Sequence, residues 1–76
     1  MKYNGYSSRN AWNVALWLHN DIGLYHTMMD CLKESPNKDA AATDLLNCLH
    51  EIYEITHTPD GVRFTRSTIR EALIGA

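Results

Sequence analysis

Four histidines and two cysteines are the side chains of this sequence best suited to holding a metal ion. Zinc sites favour close pairs such as Cys-x2-Cys or His-x3-His, which place two ligands on one turn or one helix face. Here His19 and His26 are seven apart, His50 and His57 are seven apart, and Cys31 and Cys48 are seventeen apart. A helix break separates His19 from His26, while His50 and His57 fall two turns apart along the third helix, too distant to chelate one ion alone. The cysteines therefore read as reduced core thiols and the imidazoles as exposed or half-buried groups, with no metal and no cofactor expected. Nucleophilic catalysis needs a Ser or Cys beside a base and an orienting acid. The chain has no Gly-x-Ser-x-Gly elbow, phosphate loop or dinucleotide fingerprint, so no catalytic residue is assigned and a non-enzyme is expected.

Charge offers more. The formal net charge of −2 is unevenly spread. Residues 21–54 carry seven acids against Lys33 and Lys38, while Lys2 and Arg9 precede them and Arg63, Arg66 and Arg70 follow. Asp44, Asn47, Glu51 and Glu54 form a polar, mostly acidic line at helical spacing, with Asp30, Glu34 and Asp39 nearby. Such a line is usually a solvated face, but it could also compete electrostatically for a protein that presents a basic groove. Arg63, Arg66 and Arg70 are spaced three and four apart and could clamp a phosphate or carboxylate. Three arginines without aromatic neighbours are a weak nucleic-acid signal, and a solvated face is the simpler reading.

These residues must be positioned by a small domain. Seventy-six residues make one domain, and a chain of this length buries only about 60% of its unfolded surface. An apolar fraction of 45% with two Trp, four Tyr and one Phe supports one compact core. No apolar run approaches the ~20 residues of a membrane span. The polar start, Met-Lys-Tyr-Asn-Gly, is unlike a signal peptide, so a cytoplasmic protein is expected.

The spacing predicts an all-α bundle of three main helices and a short C-terminal one, with helix one central. Tyr3-Asn4-Gly5-Tyr6 reads as a turn, after which Ser7 and Ser8 offer caps for a first helix over about 8–19. Ala11, Trp12, Val14, Ala15, Leu16, Trp17 and Leu18 leave only Asn13 to break an apolar series, so this helix should be enclosed, with Trp12 and Trp17 in the core. So apolar a helix is hard to cover with three short partners, and a homodimer is a further expectation. Asp21 caps a second helix over about 22–34, with Tyr25, Met28, Met29 and Leu32 on its apolar face. Pro36 ends it. Asp39 or Asn37 caps a third helix running to about Thr56, in which Ala42, Leu45, Leu46, Leu49, Ile52 and Tyr53 form the inner stripe. Thr58-Pro59-Asp60-Gly61 is a turn, and the flanking residues 55–65 are either a loop or a short hairpin. Thr65 caps a last helix over about 66–74, with Ile69, Leu73 and Ala76 on its inner edge.

Tyr3-Asn4-Gly5-Tyr6, Asn10, Trp12-Asn13-Val14, Leu16-Trp17-Leu18 and Asn20-Asp21 together resemble a family of small uncharacterised phage and plasmid proteins. Members typically open with Tyr-Asn-Gly-Trp, followed by a Thr-Trp-Asn-Val-x-Leu-Trp core and then Asn-Asp or Asn-Glu. Tyr6 stands here where Trp is usual and Ala11 where Thr is usual. The resemblance covers the first third of the chain. It implies a mobile-element origin and an intracellular setting, and it brings no catalytic residue. The expected function is a non-catalytic phage-type effector that binds and inhibits a host protein with a basic surface. A component of a bacterial defence system such as a CRISPR surveillance complex is the first target to consider. Asp44, Asn47, Glu51, Glu54 and Tyr6 would form the contact. The alternative is a DNA-binding or regulatory module that uses Arg63, Arg66 and Arg70.

Overall fold

Asp21 both ends one helix and begins the next, and this corner sets the direction of the first half of the fold. Its backbone N–H closes on the Trp17 carbonyl at 3.1 Å, and its Oδ1 accepts the Leu24 N–H at 3.0 Å. The computed structural model describes residues 5–74, and over them four helices follow one another: α1 (Arg9–Asn20), α2 (Ile22–Glu34), α3 (Lys38–Glu51) and α4 (Arg66–Ile74). The all-α expectation is met. Tyr3, expected in the N-terminal turn, and Ala76, expected on the inner edge of the last helix, lie outside the described residues.

Local side-chain oxygens account for each helix start. Ser8 Oγ accepts from Ala11 N at 3.1 Å and Asn37 Oδ1 from Ala40 N at 2.8 Å, so Asn37, and not Asp39, is the cap of α3. Thr65 and Thr68 cap α4 reciprocally: Thr65 Oγ1 accepts from Thr68 N, and Thr68 Oγ1 from Thr65 N. Pro36 holds Ser35 in an extended conformation and stops α2 where the sequence said it would.

The helices form a ring in which α1 packs on α2 and α4, and α3 packs on the same two neighbours. Val14 and Leu18 of α1, Leu24 and Met28 of α2, Leu45 and Leu49 of α3, and Ile69 and Leu73 of α4 meet in one core. Ala15, Ala41, Ala42 and Ala72 are buried between them, where small side chains let helices approach closely. Phe64, from the segment before α4, is 2% exposed and joins the same core.

Three expectations are corrected. The third helix ends at Glu51, five residues short of Thr56. Glu54 takes the left-handed region at φ 56°, and the turned chain lets Ile55 N–H reach the Leu49 carbonyl at 2.9 Å. Ile52 therefore points out of the bundle at 72% exposure, and Tyr53 lies on the surface of α2, its hydroxyl 2.6 Å from Thr27 Oγ1. Second, Tyr25 and Met29 are exposed while Met28 is buried and Leu32 half-buried, so the apolar face of α2 is only partly covered. Third, α1 is not enclosed on every side: Trp12, Leu16 and Trp17 stay half-buried, and the tryptophans are not core residues.

Between α3 and α4 the chain makes a minimal hairpin. Gly61 N–H donates to the Thr58 carbonyl at 2.9 Å, closing the expected turn, and Gly61 adopts φ 89°, which a side chain would strain. Thr58 N–H bonds to Val62 O and Phe64 N–H to Thr56 O, around a single antiparallel bridge between His57 and Arg63. The pairing is too short for strands, but it fixes which side chains face α1.

Candidate interaction surface

The acidic line survives in part. Asp44, Asn47 and Glu51 are exposed on α3, but Glu54 has left the helix and no longer continues their spacing. Asp44 Oδ2 accepts the Ser35 hydroxyl at 2.9 Å. Two acids reach the seam between α2 and α3. Burial pushes the Cys31 thiol up to about 11, and the neighbouring Cys48 thiol and the charges of Asp44 and Asp30 push in the same direction. Asp30 of α2 and Asp44 of α3 are both exposed, and Asp44 is the one that reaches Ser35 at the end of α2. Asp39 is engaged elsewhere, in an ion pair with Arg70 that ties α3 to α4.

The three arginines divide between two elements. Arg63 sits in the hairpin bridge, and Arg66 and Arg70 lie one turn apart on α4. All are exposed. Arg70 already donates through Nε to the Asp39 carboxylate, so one arm of the expected clamp is spent on a protein partner. Its neighbour Glu71 faces the other way, accepting Ser7 N–H at 2.9 Å and the Ser7 hydroxyl at 2.7 Å. These two bonds hold the Glu71 carboxyl below its ordinary value. Tyr6 is half-buried against the core and borders a shallow cleft of about 170 Å³ with Trp12, Leu16 and His19. It is thus partly a packing residue.

The residue the sequence treated as an interruption organises the most developed polar site. Asn13 is 4% exposed. Its Nδ2 donates to Asp60 Oδ2 at 2.8 Å, and its Oδ1 accepts the Thr58 hydroxyl at 2.7 Å. Trp17, one turn further along α1, donates its indole N–H to the same Asp60 oxygen at 3.0 Å. Thr58 Oγ1 also accepts Val62 N–H at 3.1 Å, so the hairpin is braced from within as it docks. The bonds from Asn13 and Trp17, with the charge of Arg9 one turn before Asn13, hold the Asp60 carboxyl below its ordinary value.

Next to this latch lies a cleft of about 260 Å³. Trp17, Leu24, Ile55, Pro59 and Phe64 give it apolar walls, and Asp21 and His57 supply polar groups at its edge. Residues from α1, α2 and the hairpin converge here across more than forty positions of sequence. The only local signal was the pairing of Asn13 and Trp17 at a spacing of four on an otherwise apolar helix. Among the described residues, no three His, Cys, Asp or Glu side chains gather as a metal set. His57 stands in the hairpin, not two turns along α3 from His50. No described helix is long and apolar enough to cross a membrane.

The model of a family of unknown function, DUF7249, matches residues 1–75. The chain belongs to that family. The DUF7249 match spans all four helices and the hairpin, so the latch, the cleft, the acidic seam and the arginines all fall within it. Neither the curated proteins nor the solved structures supply a match to this DUF7249 member.

Proposed function

We propose that this protein is a non-catalytic binding protein, an effector of mobile-element type that sets its acidic α2–α3 side against a basic groove of a host protein and blocks it. The observation that carries the reading is the exposed polar run of Asp44, Asn47 and Glu51 along α3, with exposed Asp30 on α2, the helix packed beside it. Carboxylates fixed on rigid helices present a persistent negative surface, which raises the association rate with a basic partner more than it lengthens the complex's life. The resemblance to phage and plasmid proteins directs the search to host proteins that grip nucleic acid, a CRISPR surveillance component first among them. The arginine-based alternative is weakened by the Arg70–Asp39 pair, which already neutralises one of its three cations.

The test is capture of partners from a bacterial lysate with tagged wild-type protein and with the variant Asp30→Lys, Asp44→Lys, Glu51→Lys. These side chains are exposed, so the variant should keep its helicity. A partner held by wild type, released by moderate salt and lost by the variant is the expected result. A partner that the variant captures equally well counts against this surface. Tight, salt-sensitive binding to plain duplex DNA would favour the arginine reading instead.

A further inference from the structure

We infer that the cleft beside Trp17 is an anchor pocket for one arginine side chain of a protein partner; this rests on the reading that the partner presents a basic surface. The indole edge of Trp17 is pinned by its 3.0 Å bond to Asp60, which fixes the ring where it lines the cleft. A carboxylate on the indole N–H also enriches the ring's electrons, which favours a cation over its face. Pro59 and Phe64 continue the apolar wall, so the occupant's stem is also accommodated. Asp21 stands at the edge with one oxygen on Leu24 N–H, and among the described residues no hydrogen bond uses its other oxygen. Among the described residues, no lysine or arginine lines the cleft. An apolar wall ending at a carboxylate with only one oxygen engaged suits a side chain with an apolar stem and a cationic head. Of the two available, the planar guanidinium is less strongly hydrated than an ammonium and stacks on aromatic rings.

Asp21→Asn separates charge from fold, because asparagine caps a helix as well as aspartate and would keep the bond from Leu24 N–H. The measurement is a titration of nitrogen-15-labelled protein with the peptide acetyl-Gly-Arg-Gly-amide, following the Trp17 indole N–H signal. That signal is distinguished from the one of Trp12 by its loss in Trp17→Phe. The isosteric, uncharged citrulline peptide and a norleucine peptide are the comparisons. Expected are a saturable shift with the arginine peptide and an affinity about fivefold weaker for Asp21→Asn, as for an exposed ion pair of about 1 kcal/mol. The citrulline peptide should be weakened similarly. Equal binding of the citrulline or norleucine peptide, an unchanged affinity in Asp21→Asn, or no shift with the arginine peptide would each overturn the pocket. Failure of the acidic-surface reading is read separately, as capture of a partner that survives reversal of Asp30, Asp44 and Glu51.

Discussion

Asn13 of α1 grips the hairpin at two points, giving a hydrogen bond to Asp60 at 2.8 Å and taking one from Thr58 at 2.7 Å, across 47 and 45 positions of sequence. Both Asn13 and Thr58 are buried, at 4% exposure each. Removing the amide leaves the Thr58 hydroxyl without this partner and frees the hairpin from α1. Asn13→Ala is therefore expected to cost about 2 kcal/mol of stability. Urea denaturation followed by circular dichroism measures it, and a loss under about 0.5 kcal/mol would mean that water replaces the amide without penalty.

Acid should loosen the same latch. The carboxyls of Asp60 and Glu71 both lie below their ordinary values in the folded protein, Asp60 through Asn13 and Trp17, Glu71 through Ser7. A carboxyl lowered by folding stabilises the native state above its unfolded pKa, and that stability drains away as pH falls through the folded value. Stability should thus be flat near neutrality and fall below about pH 4. The double variant Asp60→Asn, Glu71→Gln should be less stable at pH 7 and show a shallower acid limb. An acid limb as steep as that of wild type would assign the effect to other carboxylates.

Glu54 offers a test of backbone strain. Its φ of 56° carries a cost for any residue with a Cβ, and the side chain is exposed. Glycine removes the clash at the expense of added freedom in the unfolded chain, so Glu54→Gly should range from neutral to about 1 kcal/mol stabilising. Glu54→Val should destabilise, since a β-branched residue tolerates this region least. If the two variants melt together, the left-handed turn is not what ends α3.

The two thiols should differ in reactivity. Cys31 is buried and its thiol is raised to about 11, whereas Cys48 is half-buried on the neighbouring helix. Thiolate is the reactive form. At pH 8 an aromatic disulfide reagent should label one cysteine per folded chain quickly and the second only as fast as the protein opens. Cys48→Ser should abolish the fast phase. Persistence of that phase would place the accessible thiol at Cys31.

Helix starts were legible because they are written locally. Ser8, Asp21 and Thr65 cap the helices expected of them, and Pro36 closes α2. The end of α3 was not. Ile52 and Tyr53 extend the apolar spacing of Leu45 and Leu49, and no glycine or proline marks the reversal at Glu54. The stop depends on Ile55 returning to Leu49 and on Tyr53 finding Thr27 of α2, contacts that spacing does not encode. The latch and the cleft were invisible for the same reason. Asn13 looks like a defect until Thr58 and Asp60, far along the chain, are brought to it. Of the acidic line, the part on regular helix was readable and Glu54 was not.

The clasp between Ser7 and Glu71 makes the fold nearly circular. The N–H and the hydroxyl of Ser7 are both held by one carboxylate 64 positions away, so the two ends of the helical ring are neighbours. Ser35, Pro36 and Asn37, by contrast, form a surface connection whose Pro36 and Asn37 are exposed. A circular permutant opened there, with the end of α4 joined to the residues before α1 by a short flexible linker, would string the helices in the order α3, α4, α1, α2 while keeping every packed pair. The architecture thus belongs to which helices touch, not to where the polypeptide is cut.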